Sequence, residues 1–119
     1  MTTTPKYIHL SEVEKHVRED DLWFIKDSKV YDITKFVDQH PGGVDTLLSV
    51  AGKDGTSEFN AVGHSESAVE ELARYYIGDI HPDDAEKVQQ ASVKAASNYF
   101  GIAVVLALVA ICSFFIFRP

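Results

Sequence analysis

The chain has 119 residues, which is enough for one small domain with an appendage. All 18 acidic residues and ten of the 11 basic residues precede residue 99, so this front part carries a formal charge of −8. Such a charge argues against a nucleic-acid partner, whose phosphates need a basic face, and favours partners with basic surfaces.

The N-terminus and the cysteine content both indicate a reducing compartment. No apolar stretch follows Met1, so we expect no signal peptide. The single cysteine, Cys112, leaves no internal disulfide and no cysteine-based zinc or iron–sulfur site within one chain. We therefore expect the front part of the chain to lie in the cytosol.

Bulky, strand-favouring runs dominate the beginning of the chain. Residues 7–10 predict a first strand. Residues 22–25 and 30–33 are separated by the polar segment 26–29 and predict a β-hairpin. Thr34 then predicts the cap of a following helical segment.

Short helices are predicted after the hairpin. Residues 44–48 carry apolar side chains at i, i+3 and i+4, and Gly52 is a plausible C-terminal stop. Thr56 predicts the cap of a second helix and Gly63 predicts its end. Ser67 begins a capping-box pattern for a third helix.

The domain is predicted to close with a strand at residues 76–80 and to end at residue 84. The predicted fold class is α+β, a small mixed sheet with short helices that form a pocket, over residues 1–84. Residues 85–98 are small, polar and rich in alanine, and we interpret them as a linker.

Residues 99–117 form a run of 19 residues without a charge. At about 1.5 Å per residue, a helix of this length spans roughly 28 Å, close to the thickness of about 30 Å of a hydrocarbon core. Tyr99, Phe100 and Arg118 suit the two interfaces. We predict a single-pass C-terminal transmembrane helix, inserted after synthesis, with the acidic domain on the cytosolic side. A buried core helix is the alternative.

His40 and His64 stand in contexts that mirror each other. Pro41 restricts His40 to an extended backbone, and Gly42 and Gly63 leave room for a bulky group near each imidazole. Apolar residues flank both histidines, so we expect a pocket with one imidazole on each side. The spacing alone also allows half of a zinc site, but the apolar surroundings fit a large flat cofactor better.

The segment Phe36-Val37-Asp38-Gln39-His40-Pro41-Gly42-Gly43 resembles the haem-binding signature of the cytochrome b5 family. The similarity covers roughly residues 6–84, and the apolar tail is similar to the membrane-anchored form of the family. Further matching stretches are residues 30–36, 51–54, 62–65 and 78–84.

The resemblance implies a b-type haem with His40 and His64 as its two axial ligands. No Cys-x-x-Cys-His motif is present, so the haem is expected to bind non-covalently. The resemblance also implies that Ser65 donates a hydrogen bond to a haem propionate. The cofactor-binding residues it implies are Phe36, Pro41, Gly42, Leu47, Phe59, Val62, Ser65, Ala68, Leu72 and Tyr75.

Acidic residues near the expected haem edge predict a docking surface for partner proteins. Here the sequence departs from the family pattern, because Val44-Asp45 keeps one acid where many members have two. Leu48-Ser49 also replaces charges that are often found one turn later. Each acid, taken singly, is equally well explained as a solvated surface residue. The predicted docking residues are Asp45, Glu58, Glu66, Glu70 and Glu71.

The function implied by the resemblance is that of a membrane-anchored electron carrier and not of an enzyme. The expected donor is a flavin-containing cytochrome b5 reductase, and the expected acceptors are membrane fatty-acid desaturases or haem-thiolate monooxygenases. The alternatives are a haem-binding membrane adaptor that modulates partners without electron transfer, and a histidine site for zinc. By family habit the expected location is the endoplasmic reticulum membrane, with the mitochondrial outer membrane second.

Overall fold

The computed structural model describes residues 4–94 of the chain. The chain divides into two compact units, Met1–Val88 and Gln89–Pro119. Of the second unit, residues 89–94 are described and are helical. No helix within residues 4–94 has the length and apolar character needed to span a bilayer. The predicted transmembrane segment, residues 99–117, lies outside the described residues.

The first unit contains a five-stranded sheet and short helical segments. The α+β class predicted for the domain is therefore confirmed. Residues 82–88, after the last strand, are also helical. In chain order the elements are β1 (Tyr7–Ile8), α1 (Leu10–Val13), β2 (Val17–Arg18), β3 (Asp21–Lys26), β4 (Lys29–Asp32), a 3-10 helix (Thr34–Gln39), α2 (Val44–Leu48), α3 (Thr56–Val62), α4 (Glu66–Ala73) and β5 (Tyr76–Ile80).

The sheet is mixed, with the strand order β1-β5-β4-β3-β2. Strand β1 pairs with β5 in parallel, and the other neighbours are antiparallel. The hairpin β3–β4 lies near its centre and turns through Asp27 and Ser28, which both have positive φ (52° and 64°). Positive φ at both central positions matches the twist of the flanking strands. The predicted hairpin and the predicted return strand are both confirmed.

The sheet separates two apolar cores, because side chains alternate between the two faces of a strand. The helix-side core consists of Leu22, Phe24, Tyr31, Ile33, Val37, Leu47, Val50 and Ala51. The terminal core consists of Ile8, Val13, Ile25, Val30, Ile80 and Val88. In the hairpin, Phe24 lies opposite Tyr31 in the first core, and Ile25 lies opposite Val30 in the second.

The first unit continues past residue 84, where the domain was predicted to end. Val88 is only 7% exposed and belongs to the terminal core, with Ala85 packed against it. The region predicted as a linker, residues 85–98, therefore begins with residues of the domain core. A single buried valine among small and polar neighbours gives little signal in the sequence.

The helix caps differ from those predicted. Ser65, and not Ser67, caps α4: its Oγ accepts a hydrogen bond from the Ala68 N–H at 3.3 Å. Ser67 lies inside the first turn of α4. Thr34 does not cap the 3-10 helix, because it already lies within that helix. The spacing of a serine and an acid marks a helix start only to within about one or two residues.

Candidate functional site

His40 follows the 3-10 helix and begins the turn into α2. Its backbone is extended, with φ −71° and ψ 119°, as expected for a residue that precedes proline. Its Nδ1 lies 3.0 Å from the carbonyl oxygen of Gly43. A carbonyl oxygen only accepts, so Nδ1 carries the proton and donates it. The neutral ring then has an unprotonated Nε2, the form that binds a metal.

Gly42 leaves the space that the His40 ring occupies. A Cβ atom at this position would lie 2.7 Å from Cε1 of His40 and 3.3 Å from its Nδ1. Gly43 has a different role, since its φ of 87° lets the chain turn into α2. Gly42 therefore makes room for the ring, whereas Gly43 turns the backbone and also accepts the Nδ1–H of the ring.

Aromatic and aliphatic side chains surround His40. The Phe36 ring meets the His40 ring edge to face at a centroid distance of 5.8 Å, and it lies 5.7 Å from the Tyr75 ring. Leu47 is part of the helix-side core, and Phe36, Leu72 and Tyr75 pack against that core. Four of the predicted pocket residues are thus brought together on the side of His40.

His64 follows α3, which ends at Gly63 in the left-handed conformation with φ 73°. Its Nδ1 lies 2.9 Å from the carbonyl oxygen of Phe59 and therefore donates to it. Its ring stacks on the Phe59 ring at a centroid distance of 3.8 Å and an interplanar angle of 1°. Both histidines thus donate Nδ1–H to a backbone carbonyl, and within residues 4–94 neither Nε2 has a hydrogen-bond partner.

The other predicted pocket residues lie towards the surface. Val62, beside His64, is 69% exposed, whereas Ala68 is partly buried. Pro41 is exposed. The Ser65 hydroxyl lies 3.0 Å from the Ser67 hydroxyl in addition to capping α4. An exposed apolar side chain next to an available imidazole is a surface that a flat apolar group can cover.

The predicted docking acids all lie on helices α2, α3 and α4. Asp45, Glu58 and Glu66 are in the first turns of their helices, where negative charge is favourable. Glu70 is exposed and Glu71 is partly buried. Their role in docking stays a prediction.

Lys26 contacts the site, although nothing in the sequence singled it out. Its Nζ lies 4.9 Å from the centroid of the Phe59 ring, and its side chain is only 13% exposed. A lysine at the edge of a polar turn is ordinarily a solvated residue. Side chains alternate between the two faces of β3, so Lys26 lies on the same face as Leu22 and Phe24. This alternation is the one sequence signal that indicates its position.

His16 is held by carboxylates away from this site. Its Nδ1 lies 2.6 Å from Asp21 and its Nε2 lies 3.2 Å from Glu12, and its ring stacks on Trp23 at 3.6 Å. Partial burial lowers the pKa of His16, but the hydrogen bonds to Asp21 and Glu12 outweigh this effect, so the pKa is raised overall. Both ring nitrogens are engaged, which leaves neither for a metal.

His9 and His81 form a second cluster away from this site. Their rings stack at a centroid distance of 4.1 Å, and His9 Nδ1 lies 2.9 Å from Asp84. The backbone N–H of Leu10 donates to the same Asp84 oxygen at 3.0 Å. Within residues 4–94, no group of three or more histidine, cysteine, aspartate and glutamate side chains is arranged to hold a metal ion.

The structure is thus a small α+β domain with a mixed sheet, whose short helical segments are followed by two imidazoles that each donate Nδ1–H to a backbone carbonyl and lie beside an aromatic ring. The family described as "Cytochrome b5-like Heme/Steroid binding domain" matches residues 9–81. The chain belongs to this family, so the predicted resemblance is confirmed.

Known relatives and a solved structure are similar to the chain. It is 50% identical over 82 residues to cytochrome b5 isoform B of Arabidopsis thaliana, covering 69% of this chain and 61% of that protein. It is 46% identical over 87 residues to cytochrome b5 of Rattus norvegicus, covering 73% and 65%. The chain therefore spans somewhat less than two thirds of these relatives. Cytochrome b558 of Ectothiorhodospira vacuolata, a prokaryotic homologue of cytochrome b5, matches with a TM-score of 0.59 and 36% identity over 65% of this chain and 100% of that chain.

The identity of the cofactor follows from the family. It agrees with the two imidazoles of the chain that can bind a metal. The family binds haem, and the chain binds haem b non-covalently. Neutral imidazoles are ordinary axial ligands of haem iron. The aromatic rings beside the two histidines, Phe36 next to His40 and Phe59 next to His64, fit a bulky apolar ring.

Proposed function

We propose that the chain is a membrane-anchored electron carrier that holds its haem between His40 and His64. It takes single electrons from a flavin-containing cytochrome b5 reductase and passes them to membrane fatty-acid desaturases or haem-thiolate monooxygenases. The observation that carries the proposal is the shared state of the two imidazoles. Each donates Nδ1–H to a backbone carbonyl and presents an unprotonated Nε2.

His40 and His64 would hold the haem iron, and the haem would supply one-electron transfer and not the activation of a bound substrate. The carbonyls of Gly43 and Phe59 fix the tautomer and the orientation of the two rings. The apolar side chains of the helix-side core limit the access of water to the site. The chain acts as a carrier and has no catalytic activity of its own.

Partner recognition is proposed to be electrostatic. The front part of the chain has a formal charge of −8, and the five predicted docking acids lie on α2, α3 and α4, the helices that carry or flank the two histidines. Such a surface attracts partners with basic patches, and the association weakens as salt rises. Substitution of Glu66 and Glu70 by glutamine is expected to slow the reductase reaction at low salt more than at high salt.

The apolar run at residues 99–117 is proposed to span the endoplasmic reticulum membrane, with the haem domain in the cytosol. Its 19 uncharged residues support this proposal. Resistance of the full chain to alkaline extraction, together with digestion of the haem domain by protease added to sealed microsomes, tests it. Release by alkali overturns the anchor, and a protected haem domain overturns the orientation.

Absorption spectra test the axial ligands. The full chain is expected to show sharp reduced bands of a six-coordinate low-spin haem and to bind carbon monoxide poorly. His40→Ala and His64→Ala are each expected to lose this spectrum, whereas His81→Ala, in a separate cluster, retains it. Ready binding of carbon monoxide by the unmodified chain contradicts the carrier mechanism.

The adaptor alternative predicts a different result for His64→Ala. A carrier without its haem ligand supports no electron transfer from reductase to desaturase in reconstituted membranes. A partner that remains fully active with this variant favours the adaptor and contradicts the carrier.

A further inference from the structure

Lys26 is largely buried against the side chain that holds His64. Its Nζ lies 4.9 Å from the centroid of the Phe59 ring, and 13% of its side chain is exposed. A charged group in such a position is costly unless nearby groups interact with it. The Phe59 ring and the Asp27 carboxylate, 2.6 Å from Nζ, provide these interactions.

The Phe59 ring lies between a cation and an imidazole. The His64 ring covers one face of Phe59 in parallel at 3.8 Å. Because the imidazole covers that face, we place the Lys26 ammonium group, 4.9 Å from the ring centroid, over the opposite face. Phe59 also accepts the His64 Nδ1–H through its carbonyl oxygen. The side chain and the backbone of Phe59 thus both act on His64.

We infer that Lys26 is a positioning residue that acts through Phe59 on His64 and raises the reduction potential of the haem. The inference rests on the proposed role of His64 as an axial ligand. In this role Lys26 shifts the equilibrium between the oxidised and the reduced haem. It does not contribute to the binding of the haem.

A cation over one face of an aromatic ring draws π-electron density towards itself. The opposite face becomes less negative and stacks more favourably on an electron-rich partner. An imidazole bound to ferrous iron is richer in electrons than one bound to ferric iron. The stacked Lys26–Phe59–His64 arrangement is therefore more stable in the reduced state.

The charge of Lys26 acts in the same direction as the stacking. A positive charge in a partly buried position favours the iron state with the lower positive charge. Asp27 offsets part of this effect, but its side chain is 60% exposed, so water and salt screen its field more strongly. The net influence of Lys26 is a higher potential.

The test is a redox titration of the full haem-loaded chain and of two lysine variants. Lys26→Met removes the charge and keeps a side chain of similar length. Lys29→Met is the matched control, because Lys29 is the cross-strand partner of Lys26 in the same hairpin and is exposed. At a fixed ambient potential, Lys26→Met is expected to lower the ratio of reduced to oxidised protein by a factor of at most about five, because only the part of the cation–π contribution that differs between the two oxidation states changes the ratio. Lys29→Met is expected to change the ratio by less.

Two further variants separate the effect of the Lys26 charge from the effect of the Phe59 ring. Lys26→Arg keeps the cation over the ring and is expected to retain the original ratio. In a Phe59→Leu background, Lys26→Met is expected to lower the ratio by less than it does with Phe59 in place, because only the direct effect of the charge remains.

Three outcomes contradict the inference. Equal effects of Lys26→Met and Lys29→Met show that burial against Phe59 has no special influence on the potential. A full effect of Lys26→Met without the Phe59 ring shows that the charge does not act through the ring. A lowered ratio in Lys26→Arg shows that the cation is not the cause. A low-spin spectrum in these proteins keeps the proposed function intact in all three cases, whereas its absence from the unmodified chain overturns the proposed function itself.

Discussion

The His40 ring leaves no room for a side chain at position 42. We predict that Gly42→Ala displaces the imidazole, because its Cβ would lie 2.7 Å from Cε1. Crowding of this kind typically costs about 1–3 kcal/mol, so the haem dissociation constant is expected to rise by roughly 5- to 150-fold. Transfer of haem to apomyoglobin measures the loss.

Gly43→Ala is compared with Gly42→Ala, because it strains the backbone without crowding the His40 ring. A Cβ at position 43 meets nothing within 4 Å, but the φ of 87° strains any residue other than glycine. This variant is expected to lose about 1–2 kcal/mol of unfolding free energy. Haem retention in Gly42→Ala equal to that of the unmodified chain contradicts the crowding argument.

The pKa of His16 is raised in the folded chain, which gives a prediction for stability against pH. Burial alone would lower this pKa, but Asp21 and Glu12 stabilise the charged ring. A raised folded pKa adds stability that is fully present below the unfolded pKa of about 6.5 and is lost as pH rises through the folded pKa.

The variant His16→Gln is therefore expected to be less stable than the unmodified chain in mildly acidic solution. The difference in unfolding free energy, measured by urea denaturation at several pH values, is expected to shrink as pH rises into the alkaline range. A difference that grows with rising pH contradicts this prediction.

The sequence indicates some residues of the candidate site and gives little signal for others. His40 and His64 were predicted from their immediate neighbours, because proline and glycine report local backbone conformation directly. Lys26 was missed, because its contact with Phe59 joins β3 to a helix far along the chain. Such a contact depends on tertiary packing, which local propensity does not report.

The start of α1 is joined to the segment after β5 by one carboxylate, Asp84. The backbone N–H of Leu10 and then the side chain of His9 donate to it, and these hydrogen bonds hold the pKa of Asp84 below its usual value. A depressed folded pKa adds stability that is present above the unfolded pKa of about 4 and is lost as pH falls through the folded pKa.

We predict that Asp84→Asn destabilises the domain near neutral pH and that the difference from the unmodified chain closes in acid. Asparagine keeps one acceptor oxygen and removes the charge. Asp83→Asn is the control, because Asp83 is the exposed residue directly before Asp84. Thermal unfolding over a pH series measures both variants, and a gap that persists in strong acid contradicts the prediction.

Secondary-structure elements were predictable where the pattern is local. The hairpin follows from two bulky runs around a polar turn, and β5 follows from a bulky run after a helix. The cap of α4 was misplaced because Ser65 and Ser67 are both suitable caps, and only the backbone geometry selects Ser65. The parallel pairing of β1 with β5 joins the two ends of the domain and has no local signature.

The extent of the haem domain can be tested by truncation. A chain that ends after residue 94 is expected to be soluble and to keep its haem spectrum. A chain that ends after residue 84 lacks Val88, which is 7% exposed in the terminal core. Loss of such a side chain typically costs about 1.5–3 kcal/mol, so the shorter chain is expected to unfold at lower urea concentration.

The haem spectrum is recorded for both truncated chains. Both are expected to keep it, because the truncations affect the terminal core, which lies on the other face of the sheet from the helix-side core. Loss of haem in the chain that ends at residue 94 would make the tail part of the fold. Equal stability of the two truncated chains would place the domain boundary at residue 84.

At the level of the whole molecule, the family and the α+β class were visible in the sequence, because its motif and its alternation of strands and helices are local. The order of the strands and the division into two cores depend on pairing between distant segments. The predicted membrane segment rests on composition alone, since residues 99–117 lie outside the described part of the chain.

The hydrogen bonds from Nδ1 of His40 and His64 have one more consequence. Both acceptors are backbone carbonyl oxygens, and a backbone carbonyl does not take up a proton near neutral pH. The two acceptors are therefore part of the main chain, and no side-chain carboxylate has to be ionised to hold either ring. The tautomer of both imidazoles is set by the course of the backbone at residues 43 and 59 and does not depend on a second titratable group.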